Sequence, residues 1–182
     1  DEETGEHTFM FGFEESYGYL VKSFVRDKDA VQAVLLLTEV AAHFKNEGKT
    51  LYDGLQALYA KHGYFLEKTI SVTVAGLEGP QKIKALLDSL RASVPTGFGG
   101  LKVALAQDFA VNEQKDANGV VSEIGLPTSN VLKYILEDGS WIAVRPSGTE
   151  PKIKFYIGAK ADNEAAAKDK VAALQADLEK LQ

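Results

Sequence analysis

Cysteine, long apolar runs and an excess of positive charge are all missing from this sequence of 182 residues. Without cysteine, disulfides and thiolate metal sites are excluded, and we expect a protein of the reducing cytoplasm. No apolar run approaches the roughly 20 residues that cross a bilayer, and the polar start is unlike a signal peptide, so no membrane partner is expected. Acidic residues outnumber basic ones by 26 to 20, and the net charge of −6 argues against a nucleic-acid partner held on a broad basic surface.

The composition is that of a globular chain, with 45% hydrophobic and 25% charged residues. A change of pattern near residues 63–66 predicts two domains, 1–65 and 66–182. The first has one strand and two helices, which indicates an incomplete α/β domain whose other strands lie elsewhere. The second has the order strand, helix, several antiparallel strands, helix. It predicts an α+β domain in which two helices pack on an antiparallel sheet.

In the first part, an aromatic and apolar stretch at residues 7–13 predicts a strand that delivers a polar loop. Asp29 is a candidate N-cap for the helix that follows, and Gln32 stands at the third helical position, the spacing of a capping box. Within residues 30–37 only Gln32 is polar, so this helix needs cover on more than one face, partly from outside the chain. A second helix is expected after Thr50.

In the second part, the dipeptide Asp138-Gly139 is typical of a tight β-hairpin and predicts that the two apolar runs around it pair antiparallel. Residues 152–157 alternate polar and apolar side chains, as in a half-buried strand with Lys152 and Lys154 on one face. A polar stretch at 112–130 contains the turn signal Asn118-Gly119. The predicted elements are strands at 69–74, 101–105, 131–136, 141–144 and 152–157, and helices through 83–90 and from Asn163.

The hairpin runs directly into a turn of sequence RPSGTEP at residues 145–151, which is a candidate phosphate site. The guanidinium of Arg145 can grip two phosphate oxygens, the hydroxyls of Ser147 and Thr149 can donate to others, and Gly148 lets backbone N–H groups approach. Residues 145–160 carry four basic and one acidic side chain in an acidic protein. Lys154 would add a further point charge. An ordinary solvated turn is the alternative, since these residue types are common in turns.

A second candidate site is the loop GFEESYG at residues 12–18. Glu14, beside the hydroxyl of Ser16, suits paired sugar hydroxyls because one carboxylate accepts two hydrogen bonds, whereas an acidic loop tip or helix cap is the simpler alternative. The charge run at 26–29, which includes Lys28, is typical of helix capping and surface chemistry. The three histidines match no metal-ligand spacing and are expected to be structural: His7, His43 and His62.

Together these loops resemble the α-D-phosphohexomutases, in the phosphoglucomutase and phosphomannomutase branch. The matching strings occur in the family's order: FGFEESYGYLV at 11–21, VRDKDAV at 25–31 and RPSGTEPKIKFY at 145–156. The family has four domains. The resemblance implies that this chain holds the C-terminal part, the end of the third domain and all of the fourth, whose sheet is TATA-binding-protein-like.

The resemblance also implies roles for individual residues. The loop of the third domain that matches Glu14 and Ser16 binds sugar hydroxyls, and the lysine that matches Lys28 reaches the reaction centre, which makes Lys28 the one possible catalytic residue here. A loop of the fourth domain holds the phosphate that is not reacting. Its matching residues are Arg145, Ser147, Gly148 and Thr149, and Lys154 falls where relatives often have another basic residue.

The implied reaction is reversible transfer of phosphate between C1 and C6 of a hexose, through a phosphorylated serine and a bisphosphorylated intermediate. The parent enzyme is then an isomerase that uses Mg²⁺ and a hexose bisphosphate activator. The family's phosphoserine loop and metal loop have no counterpart in this sequence. The resemblance therefore implies a phosphosugar substrate, the missing N-terminal domains as partner, and a chain that is inactive by itself.

Several alternatives stay open. The sequence does not distinguish a phosphoglucomutase part from a phosphomannomutase or phosphopentomutase part. A non-catalytic module could bind phosphorylated ligands through Arg145, and a structural domain could use its sheet as an interaction platform. The apolar helix expected from Ala30 argues against a stand-alone module, because such a helix needs a sheet to cover it.

Overall fold

The computed structural model describes residues 5, 8–14, 17–148 and 150–181. The chain divides into two compact units, Asp1–Lys61 and His62–Gln182. The functional domain limits drawn from the sequence, 1–65 and 66–182, stay a prediction.

The described residues form four helices and ten strands. The helices are α1 (Ala30–Asn46), α2 (Leu51–His62), α3 (Gly79–Ala92) and α4 (Glu164–Glu179). The strands are β1 (Gly12–Phe13), β2 (Tyr19–Leu20), β3 (Tyr64–Thr73), β4 (Gly97–Phe98), β5 (Leu101–Asp108), β6 (Glu113–Asp116), β7 (Val121–Glu123), β8 (Leu132–Leu136), β9 (Trp141–Pro146) and β10 (Lys152–Ala161). None of the described helices is both long and apolar enough to cross a membrane.

In the first unit, β1 and β2 form a short hairpin that pairs Gly12 with Leu20 and Phe13 with Tyr19. The strand predicted at 7–13 is therefore wrong over most of its length, because residues 8–11 are not in a strand. His7 lies outside the described residues. An extended segment becomes a strand only where a neighbour takes up its backbone hydrogen bonds, and in the described chain β2 is long enough to pair with only two residues.

Asp29 caps α1 as predicted. Its side chain accepts hydrogen bonds from the backbone N–H groups of Val31 and Gln32, at 2.9 and 3.2 Å. The second half of the predicted capping box is wrong, since Gln32 Oε1 accepts from the backbone N–H groups of Val21 and Lys22, at 3.1 and 2.8 Å. Gln32 thereby ties the segment after β2 to the first turn of α1.

The apolar surface of α1 is exposed in the described structure, as the sequence led us to expect. No residue of α1 is buried. The exposed fractions of Val31, Val34 and Leu35 are 80%, 65% and 63%. A helix with this pattern normally lies against a sheet or another helix.

In the second unit, seven strands form an antiparallel sheet in the order β3-β10-β9-β8-β5-β6-β7, and β4 pairs with β5. Alternate residues of the central strands share one core with residues of α3 and α4, so both helices lie on the same face of the sheet. The core residues include Leu87, Leu90, Leu132, Ile142, Val144, Phe155, Ile157, Leu174 and Leu178. This arrangement confirms the predicted α+β fold and the predicted pairing across Asp138-Gly139, in which Leu132 faces Val144.

The polar stretch at 112–130 contains two strands that the sequence pattern did not show. β6 and β7 pair across the predicted turn Asn118-Gly119, with Lys115 opposite Val121. The side chain of Asp116 shapes the turn by accepting from the backbone N–H groups of Asn118 and Val120, at 2.9 and 2.8 Å. Because these strands lack alternating apolar residues, their sequence carries no strand signal.

Candidate functional site

The turn between β9 and β10 is held by its own backbone and side chains. The backbone N–H of Ser147 donates to the carbonyl oxygen of Lys152 at 2.8 Å, and the N–H of Glu150 donates to Ser147 Oγ at 3.3 Å. Lys152 Nζ and Glu150 Oε2 form an ion pair at 3.0 Å. The carbonyl oxygen of Pro151 accepts from the N–H of Val74 at 2.9 Å, which joins the turn to the segment that follows β3.

Arg145 and Lys154 lie directly opposite each other on β9 and β10. Their neighbours Val144, Ile153 and Phe155 are buried in the core, so the two cations lie on the sheet face opposite the helices. Neither side chain forms a hydrogen bond or an ion pair with another described residue. Like charges directly opposite each other across two strands are destabilising, and an anion that contacts both would remove this cost.

Gly148 leaves open space at the tip of the turn. A Cβ built on it would meet no heavy atom within 4 Å, and the residue is exposed. The structure thus places Ser147 and Gly148 in one turn, and Arg145 and Lys154 opposite each other on the two strands that this turn joins. Thr149, the remaining predicted phosphate ligand, lies outside the described residues.

In the first unit, the structure brings Glu14 and Lys28 together. Lys28 Nζ lies 3.0 Å from Glu14 Oε1 and 3.1 Å from Asp27 Oδ1. The hydrogen bond to Glu14, followed by that to Asp27, raises the pKa of Lys28 above its ordinary value, so this side chain stays protonated and donates hydrogen bonds. Ser16, the second predicted sugar ligand, lies outside the described residues.

Gly18, the last residue of the candidate loop at 12–18, has a role that the sequence pattern did not reveal. It is buried, and a Cβ added to it would lie 2.8 Å from both Cγ and Cδ of Lys28. Glycine therefore lets the lysine chain pass close to the loop on its way to Glu14. The same loop is closed by the backbone N–H of Glu14, which donates to the carbonyl oxygen of Gly18 at 2.9 Å.

A cavity of about 640 Å³ lies between the β9–β10 turn and α3. Ser147 and Gly148 form part of one wall, and Ile83 and Leu87 of α3 form part of the other. No sequence signal predicts it, because it depends on how α3 packs against the sheet. The turn is therefore open on more than one side.

The described residues do not fit a resident Mg²⁺ ion. Within this part of the chain, no three histidine, aspartate or glutamate side chains lie close enough together to hold a metal.

Both units match models of known protein families. Residues 81–176 match the family model described as the C-terminal domain of phosphoglucomutase/phosphomannomutase. Residues 2–62 match the model for alpha/beta/alpha domain III of phosphoglucomutase/phosphomannomutase. The chain belongs to the phosphoglucomutase/phosphomannomutase family. This membership confirms the resemblance found in the sequence motifs.

Relatives of this family member include bacterial phosphoglucomutases. The chain is 45% identical over 159 residues to the phosphoglucomutase of Staphylococcus epidermidis, covering 87% of the chain and 29% of the relative. It is 44% identical over 157 residues to that of Staphylococcus haemolyticus, covering 86% and 28%. The chain thus spans less than a third of the length of these relatives.

A solved structure of the family supports the fold. The exocytosis-sensitive phosphoprotein pp63/parafusin of Paramecium, a phosphoglucomutase crystallised in its open form, matches with a TM-score of 0.57 and 20% identity. The match covers 91% of the chain and 28% of that protein. At 20% identity, this similarity supports the fold only.

Proposed function

We propose that this chain is the sugar-binding and distal-phosphate-binding part of a phosphohexomutase that interconverts hexose 1-phosphate and hexose 6-phosphate. In this proposal the parent protein works in the cytoplasm as an intramolecular phosphotransferase, uses Mg²⁺, and is activated by a hexose bisphosphate. The names of the relatives favour glucose phosphates as substrates.

The observation that carries the proposal is the pair Arg145 and Lys154. The two cations lie opposite each other on the outer sheet face without an anionic partner among the described side chains. A phosphate monoester supplies about 1.5 to 2 negative charges and three acceptor oxygens, which suits two adjacent cations. The hydroxyl of Ser147 and the open backbone at Gly148 provide further donors at the same turn.

In this proposal, Glu14 and Lys28 form the sugar-binding site. The carboxylate of Glu14 can accept hydrogen bonds from two neighbouring sugar hydroxyls. Protonated Lys28 can donate to a sugar or phosphate oxygen when a ligand displaces one of its two carboxylate partners. Ser16 and Thr149 complete the two loops in this proposal.

The chain by itself is proposed to be inactive. In this proposal the groups that transfer phosphate, a phosphoserine and a bound metal, belong to loops of the parent protein outside this chain. The exposed apolar face of α1 fits this proposal, since preceding parts of the same polypeptide would cover it.

The proposal is tested by titrating the isotope-labelled chain with glucose 6-phosphate and following backbone amide signals by NMR. We expect shifts at Ser147 and Gly148, with millimolar affinity because only part of the site is present. Arg145→Ala should weaken binding at least about tenfold, since a charge-assisted contact contributes about 1.5–3 kcal/mol. Lys68→Ala is the matched control, because Lys68 is an exposed cation on the same sheet, beside Ile157.

Two results would overturn the proposal. One is equal binding by the wild-type chain and Arg145→Ala. The other concerns the proposed inactivity of the chain by itself. If the pure chain converts glucose 1-phosphate in the presence of Mg²⁺ and a hexose bisphosphate, and keeps this activity after further purification, that part of the proposal is wrong.

A further inference from the structure

The edge strand β3 extends the outer face of the sheet beside the candidate phosphate site. Its hydroxyl residues Thr69, Ser71 and Thr73 alternate along the strand and share the face that points away from the helices, because Ile70 and Val72 between them pack on the core. In the pairing with β10, each hydroxyl residue faces one outward residue: Thr69 faces Tyr156, Ser71 faces Lys154 and Thr73 faces Lys152.

The register places Arg145, Lys154 and Ser71 in one row across three neighbouring strands. Lys154 is directly opposite Arg145 on one side and directly opposite Ser71 on the other. Residues opposite each other in an antiparallel pair have Cβ atoms about 4.5–5.5 Å apart. Ser71 is exposed, and its hydroxyl has no hydrogen-bond partner among the residues that the structure describes.

Of the three hydroxyls on β3, Ser71 alone stands beside an unpaired cation. Thr73 faces Lys152, whose ammonium group is already paired with Glu150 at 3.0 Å. Thr69 faces a neutral tyrosine. An anion drawn to Arg145 and Lys154 therefore meets the hydroxyl of Ser71 in the same row.

We propose that Ser71 is a further ligand-binding residue, so that the phosphate site extends from the turn onto β3. The ligand class is a dianionic phosphate monoester, whose three terminal oxygens can accept from a guanidinium, an ammonium and a hydroxyl at once. This inference rests on the proposed function. β3 lies between the two family matches, at 2–62 and 81–176, so neither match contains Ser71.

The experiment titrates the whole chain with inorganic phosphate, with amide NMR signals as the readout. Ser71→Ala should weaken binding about three- to tenfold, the effect of one hydrogen bond to a charged ligand. Ser71→Thr keeps the hydroxyl and should bind within about twofold of wild type. Thr69→Ala is the matched control, because it removes a hydroxyl from the same strand and face, one row away.

The outcomes separate this inference from the function it rests on. If Arg145→Ala abolishes binding and Ser71→Ala binds like wild type, the assignment of Ser71 is wrong and the proposed function stands. If both variants bind like wild type, both fail. If Ser71→Ala and Thr69→Ala weaken binding equally, the effect is a general one of the edge strand and the assignment of Ser71 is again overturned. An unchanged thermal midpoint checks that each variant is folded.

Discussion

Lys170 and Asp138 join the β8–β9 hairpin to α4 through a half-buried ion pair. Lys170 Nζ donates both to Asp138 Oδ2 and to the carbonyl oxygen of Lys160. Asp138 also accepts from the N–H and the hydroxyl of the fully buried Ser140, at 2.9 and 3.1 Å. Burial raises the pKa of Asp138, but the hydrogen bonds from Lys170 and Ser140 outweigh it and hold that pKa below its ordinary value.

We expect Asp138→Asn to lower the free energy of unfolding by about 1–3 kcal/mol, because it leaves Lys170 partly buried without its carboxylate. Chemical denaturation at neutral pH measures the change. Asp162→Asn is the matched control, since Asp162 is an exposed carboxylate, and it should leave the stability within about 0.5 kcal/mol.

The loss of stability in Asp138→Asn should depend on pH. Since the folded-state pKa of Asp138 is lowered, its contribution is complete above the unfolded-state pKa of about 4 and is lost as the pH falls through the folded-state pKa. The difference in stability between wild type and Asp138→Asn should therefore shrink as the pH drops below about 4. A difference that stays constant through that range would contradict this account.

Among the elements, α4 shows how a local signal and a tertiary contact combine. Asn163 is its N-cap, and the side-chain oxygen accepts from the N–H of Ala166 at 2.9 Å. One stripe of the helix then buries Val171, Leu174 and Leu178 against the sheet. The cap sets where the helix begins, and the stripe sets which face meets the core.

We expect Asn163→Ala to destabilise the chain by about 1 kcal/mol, because one N–H of the first turn loses its partner. Thermal or urea unfolding gives the measurement. Asn163→Asp keeps an accepting oxygen and should retain most of the stability. Equal losses in both variants would mean that Asn163 acts through something other than capping.

At the scale of the whole molecule, the chain has an apolar surface that its described residues do not cover. Val34, Leu37 and Val40 of α1 line an apolar hollow of about 360 Å³ together with Phe11 and Tyr19. Large contiguous apolar patches mark interaction surfaces or cause aggregation.

We therefore expect the isolated chain to self-associate as its concentration rises, and light scattering to report a mass above 19.7 kDa. The double variant Val34→Lys and Leu37→Lys should shift the chain toward monomer. Leu77→Lys is the control, because Leu77 is fully exposed on the other unit and lies outside this patch. A wild-type chain that stays monomeric at high concentration would exclude this role of α1.

Local signals in the sequence were reliable where a few neighbouring residues decide the structure. The hairpin at Asp138-Gly139 and the cap at Asp29 follow from turn and capping chemistry, and both are confirmed. The helix expected from about Asn163 begins at Glu164, and the structure adds that Asn163 is its N-cap. The strand expected at 7–13 was wrong over most of its length, and the hairpin after residue 112 was missed. Both errors concern strand pairing, which depends on a partner segment more than on the strand's own residues.

The sequence by itself determined the chemistry of the two loops: the guanidinium, hydroxyls and glycine of residues 145–149, and the carboxylates before Gly18. Those residue types and their order within a loop are local facts. Only the tertiary structure decided that Lys28 reaches Glu14, fourteen positions away, and that Arg145, Lys154 and Ser71 share one row. A shift of one residue in strand register would send Ser71 to the opposite face, so this row exists only because the whole sheet fixes the pairing.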